Sequence, residues 1–149
     1  MLSIALIYPE IPPNTGNIAR TCAATQTPLH LVEPLGFEIN DRTLKRAGID
    51  YWEYVSVTVH GNLQSLRAAA GDRRWVCFSA RGTHHFRDFR YLPNDWLLFG
   101  SESAGLPESL LQEHPAVYIP MTHPKVRSLN LSVSAALGLF EARRQLGLP

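Results

Sequence analysis

The chain has 149 residues, 45% of them hydrophobic and 18% charged, which predicts one globular domain over residues 1–149 that buries its own core. Its 14 Lys and Arg nearly balance 13 Asp and Glu, so composition excludes a strong overall attraction to nucleic acid. No apolar run approaches the roughly 20 residues of a membrane span, and the N-terminus lacks the basic leader of a signal peptide. We therefore expect a cytoplasmic protein without membrane contact.

The first third of the chain predicts alternating strands and helices. Residues 2–8 form a continuous apolar run, typical of a strand buried on both faces of a parallel sheet. A proline-rich polar segment follows, and we expect a helix to begin where Asn14 or Thr15 caps it. Leu29–Val32 is predicted as a second strand and residues 41–47 as a short basic helix.

An aromatic cluster then precedes another predicted strand. Tyr51, Trp52 and Tyr54 lie just before residues 55–59, which alternate with period two as a half-buried strand does. These aromatic rings suit either core packing or exposed stacking surfaces. We predict that they pack in the core.

The remaining elements repeat the strand and helix alternation. Residues 62–70 read as an amphipathic helix and residues 75–79 as a strand, and Trp96–Phe99 is a further strand. Pro107 suits the first turn of a helix over residues 108–112. Since no internal repeat or linker interrupts the alternation, the predicted fold is α/β with a mainly parallel sheet flanked by helices.

The last unit, residues 117–141, combines a short apolar strand, a polar loop and a long helix. Pro120 and Pro124 exclude a helix through the loop. The helix is therefore expected to begin where Asn130 or Ser128 caps its free backbone donors.

The cysteine and histidine pattern does not indicate metal binding. Cys22 and Cys77 have neither CxxC spacing nor partnering histidines, so free buried thiols are predicted. His84 and His85 are adjacent, and neighbouring positions on one element point in different directions. We predict a solvent-facing loop pair there and no metal site.

Polar loops follow three of the predicted strands, at residues 14–20, 100–106 and 121–132. The carboxyl ends of parallel strands meet at one edge of a sheet, where α/β proteins bind ligands. Each loop alone is better explained as turn chemistry, but three together predict a shared site. None matches GxGxxG, GxxxxGK[ST] or GxSxG, so dinucleotide, nucleoside triphosphate and hydrolase sites have no support.

The loops instead offer backbone amides, hydroxyls and a few charged side chains. The charged groups are the carboxylate of Glu102 and the guanidinium groups of Arg20 and Arg127. This set suits a nucleoside-like ligand beside an anionic backbone.

The same loops carry a family resemblance. N-T-G-N-I-A-R at 14–20, L-F-G-S-E-S-A-G-L-P at 98–107, and I-P-M with R-S-L-N-L-S-V-S-A-A within 119–136 resemble the three motifs of the SpoU branch of the SPOUT RNA methyltransferases. The P-E-I-P-P-N-T-G-N opening and R-A-G-I-D-Y at 46–51 are similar to the minimal tRNA wobble-nucleoside 2′-O-methyltransferases. The resemblance covers essentially the whole chain, with no appended RNA-binding domain.

The resemblance implies a C-terminal deep trefoil knot, an arrangement that general topology rules would have excluded. It also implies S-adenosyl-L-methionine as cofactor, a homodimer, and a tRNA anticodon stem-loop bound across the dimer interface. The implied reaction is 2′-O-methylation of the wobble cytidine or uridine. Ribosomal RNA as substrate, or a non-catalytic nucleoside- or RNA-binding module, are the alternatives.

The site residues are carried over by motif position. The resemblance assigns cofactor binding to Phe78, Gly100, Glu102, Ile119, Ser128, Leu129 and Asn130, and catalytic positions to Asn14, Arg20 and Ser132. Arg20 is often regarded as the base in this family. Because arginine stays protonated in proteins, we hypothesise that Arg20 acts first as a cation that orients the hydroxyl and the phosphate.

Overall fold

A parallel sheet forms the centre of the molecule. The computed structural model describes residues 1–40, 42 and 51–149. Within this part of the chain the strands are β1 (Ser3–Ile7), β2 (Leu29–Val32), β3 (Val57–His60), β4 (Trp75–Phe78), β5 (His84–His85), β6 (Trp96–Phe99) and β7 (Ala116–Tyr118). Their order is β3-β2-β1-β6-β4-β7-β5, and every strand pair is parallel. The predicted α/β class with a mainly parallel sheet is confirmed.

Four helices and a 3-10 turn accompany these strands in the described ranges. They are α1 (Pro12–Thr25), the turn Trp52–Tyr54, α2 (Leu63–Ala70), α3 (Glu108–Glu113) and α4 (Leu131–Gln145). Apart from Arg42, the basic helix predicted over 41–47 lies outside the described residues, as do positions 46–50 of the R-A-G-I-D-Y segment. None of the helices described is long and apolar enough to cross a bilayer.

The sheet reverses its direction of growth between β1 and β6. Ile4 of β1 lies opposite Leu29 of β2 on one side and opposite Leu97 of β6 on the other. The chain builds outward from β1 to β3, then crosses over to β4 and β5, and β6 afterwards enters between β1 and β4. Ligands bind at such a switch point in open α/β sheets because the loops leaving the two adjacent strands diverge there.

Each face of the sheet has its own apolar core. On the first face, α1 and α4 contribute Ile18 and Leu139 to a cluster that includes Leu6 and Phe99. On the second face, α2 and α3 contribute Leu66 and Leu110 to a cluster with Ile7, Trp75 and Leu98. The strand residues alternate between the two clusters because successive side chains point to opposite faces.

The two long helices begin differently. Asn130 caps α4 as one of the two predicted alternatives, since its side chain accepts hydrogen bonds from the backbone of Ser132 and Val133. The start predicted for α1, a cap at Asn14 or Thr15, is wrong: this helix already begins at Pro12. Prolines tolerate the first turn because their missing N–H would have no helical acceptor.

The aromatic cluster and the histidine pair differ from the sequence prediction, and the cysteines agree with it. Tyr54 is 67% exposed and Tyr51 39%, so only Trp52 of the aromatic cluster packs against the core as predicted. The adjacent histidines lie in β5, paired with β7, and not in a loop. Both cysteines are free and buried as predicted, and burial raises the pKa of each thiol to about 12.

Candidate functional site

A cavity of about 590 Å³ lies at the carboxyl edge of the sheet, where the loops after β1, β4, β6 and β7 meet. Its lining consists of Ile11, Asn14, Phe78, Ser79, Ala80, Arg81, Phe99, Gly100, Ser101, Glu102, Ser103, Ala104, Gly105, Leu106, Ile119, Met121, Arg127, Ser128, Leu129, Asn130, Leu131 and Ser134. The three polar loops predicted to share a site therefore all contribute to one cavity. A volume of this size accommodates a nucleoside-sized ligand.

Glu102 joins the loop after β6 to the start of α1. One carboxylate oxygen, Oε1, accepts from the backbone N–H of Glu10 at 2.9 Å, and Oε2 accepts from that of Ile11 at 2.7 Å. Asn14 Nδ2 donates to Oε2 at 3.3 Å, while Asn14 Oδ1 accepts from Asn130 Nδ2 at 3.0 Å. The Glu102 carboxylate, which follows Glu10 by 92 positions in the chain, thus lies at the electropositive N-terminal end of α1. Asn14 links all three motif loops.

A second carboxylate crosses the same junction in the opposite direction. Glu10 Oε1 accepts from the backbone N–H of Ser103 at 2.9 Å and from its hydroxyl at 2.6 Å. These hydrogen bonds lower the pKa of Glu10 because they favour its charged form, and the bond from the Ser103 hydroxyl has the largest effect. The loop after β1 and the loop after β6 are therefore held by carboxylates from both sides.

Gly100 makes the cavity wall possible because the backbone turns back on itself there. A Cβ added to this residue would lie 2.0 Å from the carbonyl carbon of Gly105. Gly105 has φ +69° and donates its N–H to the Ser101 carbonyl at 2.9 Å. No side chain fits at Gly100, and the positive φ at Gly105 also favours glycine.

Phe78 supports the floor of the cavity from the core side. Its side chain is 7% exposed and stacks on Phe99 with ring centroids 4.6 Å apart. A Cβ added to Gly138 of α4 would lie 2.6 Å from the Phe78 ring, so the glycine allows the helix to approach this closely. The bulky ring is thus part of the core, which leaves backbone groups as the means by which Phe78 could meet a ligand.

Eight of the ten predicted site residues line the cavity: Asn14, Phe78, Gly100, Glu102, Ile119, Ser128, Leu129 and Asn130. Ser132 and Arg20 do not. The Ser132 hydroxyl donates to Asn130 Oδ1 at 2.5 Å within the cap of α4. Arg20 is exposed, and its guanidinium carbon lies 4.9 Å from the ring centroid of Tyr51.

Sequence reasoning missed the loop after β4. Residues 79–81 contribute to the cavity, and Arg81 pairs with Glu108 at its rim. A signal was present: a buried strand is followed directly by S-A-R-G, with Gly82 at its end. A Cβ on that glycine would lie 2.3 Å from the carbonyl carbon of Val117, so the loop passes close against β7. Arg81 and Arg127 together supply the cavity with two cationic groups that suit carboxylate or phosphate oxygens.

The arrangement favours positioning chemistry over nucleophilic catalysis, because the described lining of the cavity contains serine hydroxyls but no histidine, cysteine or lysine. Within the ranges described, no cluster of three or more His, Cys, Asp or Glu side chains could hold a metal ion. The cavity instead presents hydroxyls, amides, a hydrogen-bonded carboxylate and two guanidinium groups.

The chain matches the model of the SpoU rRNA Methylase family over residues 1–140. It is 46% identical over 152 aligned residues to the tRNA (cytidine(34)-2′-O)-methyltransferase of Burkholderia ambifaria, with 99% of this chain and 97% of the relative covered.

Two solved structures extend the similarity. One, which concerns the 2-OH methylation of C/U34 on tRNA, has a TM-score of 0.93 and 47% identity, covering 99% of this chain and 97% of that one. An AdoMet-bound rRNA methyltransferase from Sinorhizobium meliloti has a TM-score of 0.84 and 28% identity, covering 97% of this chain and 56% of that one.

Proposed function

Because the chain belongs to the SpoU rRNA methylase family, we propose that it methylates the ribose 2′-hydroxyl of the wobble nucleoside, cytidine or uridine, in the tRNA anticodon loop. The observation that carries this proposal is the near full-length similarity to a tRNA (cytidine(34)-2′-O)-methyltransferase. The junction of all three motif loops at Asn14 supports it, because the parts of the chain that carry the resemblance enclose one cavity.

We propose S-adenosyl-L-methionine as the methyl donor, held in the cavity of about 590 Å³. When bound, it supplies an electrophilic methyl group on a sulfonium. The residue types fit this group: the closely folded backbone at Gly100 and Ile119 offers amides and carbonyls to the adenosine, and Ser128, Leu129 and Asn130 continue the wall. Arg81 and Arg127 are cations suited to the carboxylate of the methionine part.

Arg20 is the residue that we propose orients the ribose hydroxyl and the neighbouring phosphate. A guanidinium presents several donors in a fixed plane, which suits phosphate oxygens. Methyl transfer needs the oxygen and the methyl carbon in line, so correct positioning supplies much of the rate. Asn14 and Ser132 support the site through Asn130, since both side chains hydrogen-bond to it.

The role of Arg20 predicts a separation between cofactor binding and turnover. Arg20→Lys should keep the affinity for S-adenosylmethionine, because Arg20 lies outside the cavity lining, and should lose most turnover. Calorimetry with the cofactor and a tritiated-methyl assay on unmodified tRNA measure the two quantities. Unchanged turnover would remove Arg20 from the mechanism.

We also propose that the protein is a homodimer. Val133, Leu137 and Phe140 on α4 are 47%, 40% and 51% exposed, and they form an apolar stripe at helical spacing. A shallow apolar depression of about 610 Å³ adjoins the stripe, lined in part by Phe86 and Pro120. Exposed apolar surface of this kind marks an interaction site. A second copy of the chain is the occupant that also accounts for Arg20 lying outside the cavity of its own subunit, because a partner completes the RNA site.

Replacing one residue of the stripe tests the homodimer. Phe140→Asp should convert the protein to a monomer in light scattering and lower methyl transfer, because it places a charge in an apolar contact. Val59→Asp is the matched control, since Val59 is 42% exposed and lies on the edge strand β3, outside the stripe. A Phe140→Asp protein that stays dimeric would refute this interface.

The trefoil knot implied by the resemblance stays a prediction. The sheet order supports it, because β7 enters between β4 and β5, which precede it in the chain.

Residues 1–149 are proposed to act as one domain, since both cores lie on one sheet. A tRNA substrate further implies the cytoplasmic location expected from the sequence.

Nucleoside mass spectrometry of tRNA from cells lacking the protein tests the proposed function. The wobble 2′-O-methylated nucleoside should disappear and return when the gene is restored. Loss of a 2′-O-methylated ribosomal nucleotide instead would favour the rRNA alternative. Cofactor binding without methylation of any RNA would favour a binding module.

A further inference from the structure

Arg20 and Tyr51 form a contact between two separate parts of the chain. Arg20 lies on the exposed side of α1, and Tyr51 immediately precedes the 3-10 turn. The guanidinium carbon lies 4.9 Å from the centroid of the tyrosine ring, within the range of a cation–π interaction. Tyr51 is 39% exposed, so the contact is open to solvent and to a bound macromolecule.

This ring is the contact that holds the Arg20 side chain in the part of the chain that the structure describes, where the Arg20 guanidinium makes no hydrogen bond or ion pair. The other functional side chains are restrained far more tightly: Glu102 and Asn14 share a network of direct hydrogen bonds. A long arginine side chain has many rotamers, and ordering it costs conformational entropy. A planar ring beneath the guanidinium reduces that cost and fixes the plane of its donors.

We propose that Tyr51 is a positioning residue for methyl transfer, whose aromatic face holds the Arg20 guanidinium ready for the ribose hydroxyl and its phosphate. The inference rests on the proposed function, because it assigns Tyr51 a task in the same reaction. The aromatic face of Tyr51 positions the guanidinium, and the phenol hydroxyl is not needed for this. Tyr51 acts through Arg20, and its loss lowers kcat while leaving the cofactor cavity intact.

Three substitutions separate the ring face from other contributions. Tyr51→Leu keeps apolar volume but removes the aromatic face, and Tyr51→Phe keeps the face but removes the hydroxyl. Tyr54→Leu is the matched control, because Tyr54 is a 67% exposed tyrosine at the end of the same turn. The cation–π contacts found in the described residues do not include Tyr54.

The experiment measures kcat and the KM for unmodified tRNA, together with the calorimetric Kd for S-adenosylmethionine. Tyr51→Leu should lower kcat by about fivefold or more, since even an exposed cation–π contact corresponds to a factor of a few and misplacement of Arg20 adds to it. Tyr51→Phe and Tyr54→Leu should stay within about twofold of the wild-type protein. The Kd for the cofactor should not change in any of the three.

A double substitution tests whether Tyr51 acts through Arg20. In Arg20→Ala protein, adding Tyr51→Leu should change neither the residual single-turnover rate nor the affinity for tRNA, because the cation is already gone. A further loss of tRNA affinity would mean that a base of the RNA stacks on Tyr51 directly, and that result overturns the proposal.

Other outcomes also decide the matter. Wild-type kcat in Tyr51→Leu protein overturns the inference, and so does a Tyr51→Phe protein as impaired as Tyr51→Leu, which would assign the role to the hydroxyl. These results leave the proposed function intact when the wild-type protein methylates tRNA in the same assay. A wild-type protein that transfers no methyl group refutes the proposed function and the inference together.

Discussion

The two faces of the sheet bury similar apolar cores, but their polar side chains have different partners and surroundings. On the face covered by α1 and α4, polar side chains such as Asn14 and Glu102 bond across loops and border an open cavity. On the face covered by α2 and α3, His30 bonds to His60 at 2.9 Å and stacks on Trp96 at 4.2 Å. Polar pairing therefore borders the candidate cavity on the first face and is part of the packing on the second.

This difference predicts that substitutions on the first face change ligand binding, while those on the second face change stability alone. A substitution on the second face that changes ligand binding would contradict this distinction.

Gly100→Ala should have the largest effect. The new Cβ overlaps backbone atoms of Gly105, and forced overpacking costs about 1–3 kcal/mol or more. Calorimetry should show the affinity for S-adenosylmethionine reduced by roughly tenfold or more, with a lowered Tm. Gly61→Ala is the control, because an added Cβ there meets nothing within 4 Å. Cofactor affinity at the wild-type level in Gly100→Ala would mean that this loop does not bind the cofactor.

Glu102→Gln should have the next largest effect. The amide replaces one acceptor oxygen by a donor that faces the N–H of Glu10 or Ile11, which costs about 1–3 kcal/mol of stability. Cofactor affinity should fall as well, because the loop after β6 loses its anchor. Glu113→Gln, which removes a 69% exposed carboxylate, should change neither quantity. Equal behaviour of the two variants in urea unfolding would contradict the anchoring role.

The histidine pair should make the second face sensitive to acid. Burial lowers the pKa of His30 to about 4, with a further contribution from His60, and burial lowers that of His60 as well. A depressed pKa means that the folded state favours the neutral ring, so its stabilisation is complete above the unfolded value near 6.5. It is lost as the pH falls from about 6.5 towards 4.

The free energy of unfolding should therefore drop by about 1–2 kcal/mol between pH 7 and pH 5. His30→Phe keeps a ring against Trp96 and should flatten this dependence, whereas His84→Gln, at an exposed position outside the cavity lining, should not. Both proteins should bind the cofactor like the wild type. A pH dependence that survives His30→Phe would assign it to other groups.

Asn62→Ala should have the smallest effect. The Asn62 side chain caps α2 by accepting from the Ser65 N–H at 2.8 Å, and losing such a cap costs about 1 kcal/mol. Thermal unfolding should show a lower Tm with unchanged methyl transfer. A loss of activity at a temperature where the variant is still folded would show that the two faces are coupled.

The sequence predicts the buried strands well, and it predicts which loops meet at the cavity. Leu29–Val32 and Trp96–Phe99 are confirmed as strands at both ends, because each is a short apolar run bounded by turn residues. The cap at Asn130 is also local chemistry and was predicted as one of two alternatives. The shared cavity followed from a general property of parallel sheets, without knowledge of the strand order.

Interactions between distant parts of the chain were not predictable in the same way. Helix α1 begins earlier than local caps suggest, because Glu102 accepts hydrogen bonds from the backbone just before it. Tyr54 is exposed although its aromatic ring predicted burial, since burial depends on what packs above a residue. Tyr51 beneath Arg20 and Arg81 at the cavity likewise depend on loops that only the fold brings together.

Methyl transfer to a defined tRNA tests the proposed reaction most directly. Purified protein, tritiated S-adenosylmethionine and two synthetic tRNAs suffice, one with a ribose and one with a 2′-deoxyribose at the wobble nucleoside. The protein should label the first tRNA at that nucleoside and leave the second unlabelled. Equal labelling of both tRNAs, or labelling at another nucleoside, would contradict 2′-O-methylation of the wobble position.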